Sequence, residues 1–141
     1  MARIQLQLPA KFSFQTEIPV RITDLNYGAH LGNDALLSMV HEARVQYLKS
    51  LGYSELNLEG AGLIMADSAI IYKGEGFYGD VLTVKVAAAD LNKYGFDLYY
   101  HFSNQHGKEI AHAKTGLLCF DYTTRKLMAL PEAAAEKLSV S

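Results

Sequence analysis

The chain has 141 residues, half of them hydrophobic and a fifth charged, the size and composition of one globular domain spanning 1–141. Its net charge is −2 and it has no Lys/Arg run, so nucleic acid is not an expected partner. Its single cysteine, Cys119, excludes an intramolecular disulfide. With no apolar run of ~20 residues and no apolar core in Met1 to Pro9, the expectation is a cytoplasmic protein that does not enter a membrane.

Phe12, Phe14, Ile18, Val20 and Ile22 fall mostly at alternate positions, which predicts a strand over Lys11–Thr23. A polar, glycine-containing loop follows, Asp24-Leu25-Asn26-Tyr27-Gly28-Ala29-His30-Leu31-Gly32-Asn33. Asn33 or Asp34 then caps a helix that runs to about Leu51 and stops at Gly52. Leu36, Val40, Ala43, Tyr47 and Leu51 share one face, widened by Leu37 and Leu48, while Glu42 and Arg44 are expected to face solvent or a partner.

The rest reads as strands. Leu63–Lys73 is one, and Leu82, Val84, Val86 and Ala88 mark a second. A turn at Asn92–Gly95 leads to a third, with Phe96, Leu98, Tyr100 and Phe102 on one side. Another turn at Gln105–Lys108 leads to a long strand over Ile110–Tyr122. Arg125–Leu130 holds a short edge, and Pro131 opens a helix to about Leu138. One strand, one long helix and a run of antiparallel strands make an α+β fold, a curved antiparallel sheet wrapped around one long central helix.

A helix that begins after a loop of this kind aims its free backbone N–H groups at whatever lies beside the loop. That suits a carbonyl oxygen gaining negative charge. Gly28 and Gly32 are expected to serve the backbone conformation of the loop. Asp24 either shapes the loop by accepting its N–H groups or takes part in chemistry, and the same choice applies to Asn26 and His30. Asp67 interrupts an apolar strand, where burial would raise its pKa toward a useful range. The histidines show no paired ligand spacing, so no metal is expected.

Several segments resemble the hotdog-fold thioesterases of the 4-hydroxybenzoyl-CoA type (4HBT-like). The stretch Asp24 to Asn33 resembles their loop D-x-D-x-x-G-H-x-N-N. Glu42-Ala43-Arg44 resembles the E-x-A-R that often follows. Ile71-Tyr72 and Tyr78-Gly79-Asp80-Val81-Leu82 resemble I-x-Y-x-x-P-x-x-Y-G-D-x-L. The resemblance runs from about Phe14 to Phe120. It implies a hydrolase that splits an acyl-CoA or acyl-carrier-protein thioester without a cofactor. It also implies a homodimer, or a dimer of dimers (homotetramer), with active sites made by two subunits. Gly28, Leu31, Gly32, Asn33, Tyr72 and Lys73 fall where the family meets substrate.

Asn26 stands where many members carry the catalytic Asp, and an amide cannot act as a base. The base must then be Asp24, Asp67, Glu75 or His30. Glu75 ranks first because the corresponding segment of plant acyl-carrier-protein thioesterases carries a functional Glu, and its glycine neighbours could present it to an adjacent subunit's loop. Asp67 ranks second and Asp24 third. Two other readings stand beside hydrolysis. One is a hotdog hydratase or dehydratase, whose D-x-N-P-x-H loop Asp24, Asn26 and His30 echo without the Pro and with one residue too many. The other is a non-catalytic acyl-thioester binding module, suggested by Asn26 itself.

Overall fold

A computed structural model describes residues 3–140, Val140 in its backbone only. Its elements follow the chain as β1 (Phe14–Pro19), a 3-10 turn (Ile22–Asp24), α1 (Asn33–Ser50), β2 (Gly62–Tyr72) and β3 (Val81–Ala89). β4 (Gly95–Ser103), β5 (Glu109–Asp121), β6 (Lys126–Leu127) and α2 (Glu132–Val140) complete it. One sheet takes the order β1-β3-β4-β5-β2, with β6 paired to β5. Every pairing is antiparallel. No helix among the described residues is long and apolar enough to cross a membrane.

Alternation decides the core. Leu82, Val84 and Val86 of β3 and Phe96, Leu98, Tyr100 and Phe102 of β4 are fully buried, because a strand turns every second side chain to one face. The helix α1 meets that face with Leu36, Met39, Val40, Ala43, Tyr47 and Leu48 at helical spacing. Burying each large apolar side chain contributes roughly 1.5–3 kcal/mol, which holds one long helix against the sheet. The ring of Phe14 meets that of Tyr47 edge-on at 5.8 Å, tying β1 to the same core.

Three local expectations differ from the structure. The first strand is shorter: β1 ends at Pro19, and the chain then folds into the 3-10 turn because the Asp24 carboxylate accepts the Arg21 N–H at 2.8 Å. The helix cap is Gly32, not Asn33 or Asp34; the Asn33 side chain accepts from the Asp34 N–H instead. The buried stripe of α1 also runs differently. Leu37 is half exposed, whereas Arg44 is buried.

Arg44 is inside because it has partners there. Its Nε donates to Glu55 Oε2 at 2.9 Å, and Glu55 Oε1 lies 2.8 Å from His41 Nε2. Beneath them Tyr100 and Thr115 share a buried hydroxyl–hydroxyl hydrogen bond of 2.7 Å. Burial alone would raise the Glu55 carboxyl, but hydrogen bonds from His41 and Arg44 outweigh it and hold it below its ordinary value. The end of α1 is closed by Gly52, with φ at +85°, and by Lys137 of α2, whose Nζ donates to the Leu51 carbonyl at 3.0 Å.

Candidate active site

The loop between the 3-10 turn and α1 is folded by its own polar side chains. Asp24 is buried and receives Arg21 through the backbone N–H and the guanidinium. Its carbonyl accepts the Gly32 N–H at 2.9 Å, which pins both ends of the loop. Inside the loop the Asn26 side-chain oxygen accepts the N–H groups of Gly28 at 2.8 Å and His30 at 3.3 Å. The left-handed position falls on Ala29, with φ of 62°, rather than on Gly28.

The helix end beside this loop stays open. Gly32 has no side chain to cap α1, and a Cβ there would lie 2.6 Å from Asp34 Oδ1. The Asn33 side chain takes the Asp34 N–H, so the amides left to a ligand at this end are those of Asn33 and Ala35.

A second segment completes the site. The link from β2 to β3 passes against the loop, and the Leu31 N–H donates to the Gly76 carbonyl at 2.8 Å. A Cβ on Gly76 would stand 2.9 Å from Leu31 Cβ, so glycine permits this approach. The approach carries Glu75 to His30, with Oε2 3.2 Å from Nδ1. Phe77 flanks the same imidazole, ring centroids 5.3 Å apart. Glu75 thus meets the loop of its own chain, where a neighbouring subunit's loop was expected.

The other candidate bases are placed elsewhere. Asp24 has its carboxylate engaged by Arg21, which suits a loop anchor. Asp67 is not buried: β2 is an edge strand with a bulge between Met65 and Asp67, and the side chain is 64% exposed. Lys114 Nζ lies 2.7 Å from it, and that hydrogen bond holds the carboxyl below its ordinary value, the opposite of the expected rise. Tyr72 and Lys73 are exposed at the end of β2, where they line a groove of about 500 Å³ with residues 3–6.

Sequence reasoning missed a cleft of about 400 Å³ between β1, the 3-10 turn and the first half of α1. Ile18, Arg21, Asp24, Ala35 and Met39 line it, so it opens beside the loop and the start of the helix. The sequence signal was thin. Met39 lies off the apolar stripe read from the pattern, and Arg21 reads as an ordinary surface charge until Asp24 is seen buried beneath it.

The order of the sheet, its central helix and this loop together define a hotdog fold. A 1,4-dihydroxy-2-naphthoyl-CoA thioesterase from Synechocystis has the same fold, with a TM-score of 0.81 at 23% identity, covering 89% of this chain and 95% of that one. A gentisyl-coenzyme A thioesterase gives 0.79 at 16% identity, covering 89% and 99%. Residues 20–138 match the thioesterase-like superfamily, and the chain belongs to it. Over 126 residues it is 28% identical to the long-chain acyl-CoA thioesterase FadM of Escherichia coli K12, covering 88% of this chain and 96% of that one. Over 132 residues it is 26% identical to the 1,4-dihydroxy-2-naphthoyl-CoA hydrolase of Synechococcus elongatus, covering 91% and 96%.

Proposed function

We propose that this protein hydrolyses an acyl-CoA thioester, with the His30–Glu75 pair taking the proton of the attacking water. The observation that carries the reading is the 3.2 Å contact of these two side chains beside the open end of α1. Superfamily membership and the thioesterase activities of the relatives support the reaction class. Glu75 orients the imidazole through Nδ1 and leaves Nε2 to receive the proton. The water oxygen bonds to the acyl carbon while the first-turn amides of α1 hold the oxyanion. The carbon–sulfur bond then breaks, the thiol takes up the proton, and free acid leaves. Asn26 cannot be the base; its oxygen is engaged in the loop, and its Nδ2 is the part left for water or substrate.

Hydrolysis of this kind consumes only water, so the reading needs no cofactor. The acyl group enters the cleft beside Ile18 and Met39. The phosphates of the carrier lie toward Lys73 and Arg3. A buried lone thiol, Cys119, suits a cytoplasmic protein.

The reading includes a homodimer. β2 is a long sheet edge whose consecutive residues Met65, Ala66, Asp67 and Ser68 are all exposed. An unpaired edge of this length invites a second copy, and two-fold pairing satisfies both. A monomeric mass by light scattering at micromolar concentration would remove this part.

The test is thiol release from short, medium, long and aromatic acyl-CoAs and from acyl-carrier-protein substrates. Turnover of at least one is expected. Binding without turnover across the panel would make the protein an acyl-thioester binding module. Loss of enoyl-CoA absorbance without thiol release would make it a hydratase.

A further inference from the structure

His101, Glu109 and His112 have no metal-ligand spacing in sequence, yet the fold gathers them. β4 and β5 form a hairpin in which His101 stands directly opposite His112. Their neighbours Tyr100, Phe102, Ala111 and Ala113 are buried toward α1, so strand alternation turns both imidazoles to the other face of the sheet. Glu109 is three residues before His112, and in a regular strand an odd separation would put it on the opposite face.

A bulge reverses that parity. Phe102 pairs with Ala111, but Ser103 pairs with Glu109, leaving Ile110 as the extra residue. Ile110 and Ala111 are both buried on either side of that irregularity. Glu109 therefore returns to the face of His112. Glu109 Oε1 lies 3.1 Å from His101 Nε2 and 2.9 Å from His112 Nε2. All three donor atoms lie within 4.8 Å of one another.

We propose that His101, Glu109 and His112 form a binding site for one divalent transition-metal ion of the zinc class. Two imidazole nitrogens and a carboxylate oxygen are the donor types such ions prefer, and hard cations such as Mg²⁺ are not. Around a tetrahedral ion at ~2.0–2.1 Å, ligand atoms sit about 3.3 Å apart. The two nitrogen–oxygen separations are already close to that, and rotation of the rings closes the rest. Both histidines are mostly buried while Glu109 is half exposed, so the ion enters from solvent and keeps its fourth position open. Phe12 packs near the His101 ring, centroids 6.3 Å apart. Lys85, the register partner of His101 on β3, is the cation facing the ion from the neighbouring strand. The site lies on the sheet face away from α1 and outside the hydrolytic machinery.

Chelator-stripped, untagged full-length protein titrated with Zn²⁺ by calorimetry tests the proposal. One ion per chain is expected, with a rise in thermal midpoint. His101→Ala and His112→Ala should each weaken binding by roughly tenfold or more, since even outer-shell losses reach that scale. Glu109→Gln keeps the shape and should weaken it too, so the test survives if a histidine variant fails to fold. His106→Ala, in the turn of the same hairpin, should leave binding unchanged. Co²⁺ should give the visible absorption of a nitrogen/oxygen-ligated ion. No Zn²⁺ binding at micromolar concentration, or binding indifferent to the ligand variants, would overturn the site. Equal weakening by His106→Ala would overturn this donor set.

Discussion

Two glutamate–histidine pairs sit near the long helix α1 and differ in their neighbours. Glu55 meets His41 of α1 at 2.8 Å, but it also receives the buried Arg44. Glu75 meets His30 at 3.2 Å with no arginine or lysine bonded to it among the described residues, and its side chain is 63% exposed against 31% for Glu55. Hydrogen bonds from His41 and from the fixed cation Arg44 hold the first carboxylate below its ordinary value, in its charged form. The second pair has no such cation among the described residues and lies beside the open helix end, the setting the proposed base needs. Neighbours, rather than the pair itself, separate a structural anion from a chemical one.

Removing the fixed cation should have the largest effect. Arg44→Ala leaves Glu55 without its buried cation and should lower unfolding free energy by about 3–5 kcal/mol, read from urea midpoints. Glu75→Gln should do the reverse: a tenfold to thousandfold fall in turnover, with the urea midpoint and substrate binding retained. If Glu75→Gln is fully active while Asp67→Asn is not, the base lies on β2 and the contrast between the pairs fails.

Acid sharpens the comparison further. The folded pKa of Glu55 is below its unfolded value, so its contribution is present above about pH 4.5 and is lost as pH falls through the lower folded value. The parent should lose stability steeply below pH 4.5, and Glu55→Gln should flatten that limb. The smallest effect is expected at Asp67, whose exposed pair with Lys114 is screened by solvent. Asp67→Asn should leave the urea midpoint close to the parent's. At Cys119 burial pushes the thiol up to about 11, so a thiol reagent at pH 8 should react with native protein far more slowly than with unfolded protein.

These contrasts also mark what the sequence could tell. β3 and β4 announce themselves because one face is buried and alternation survives intact, from Leu82 to Val86 and from Phe96 to Phe102. The length of α1 and its stop at Gly52 are written in local terms too. Contacts that join distant segments are not. Arg44 reads as a surface charge until Glu55 is folded against it, and Asp67 reads equally as paired, exposed or functional until β2 proves to be an edge and Lys114 its partner. Glu75 ranks first on the resemblance and on its glycine neighbours, and only Gly76 packing on Leu31 shows which histidine it meets. The bulge at Ile110 hides the third donor opposite His101, because parity is a property of the paired sheet and not of either strand.

The bare cap at Gly32 carries one more consequence. Glycine is itself an accepted residue at this position, and Ser, Asp or Asn there improves on it by only about a few tenths of a kcal/mol. The backbone here is extended, with φ of −75°, so a serine is conformationally acceptable, and the near contact is with the movable end of Asp34. Gly32→Ser should therefore shift the melting temperature little and slow hydrolysis, because on the proposed mechanism its hydroxyl would occupy an amide that otherwise faces the oxyanion. On this reading, α1 gives up little stability at the turn where a helix can also act as a Lewis-acid surrogate.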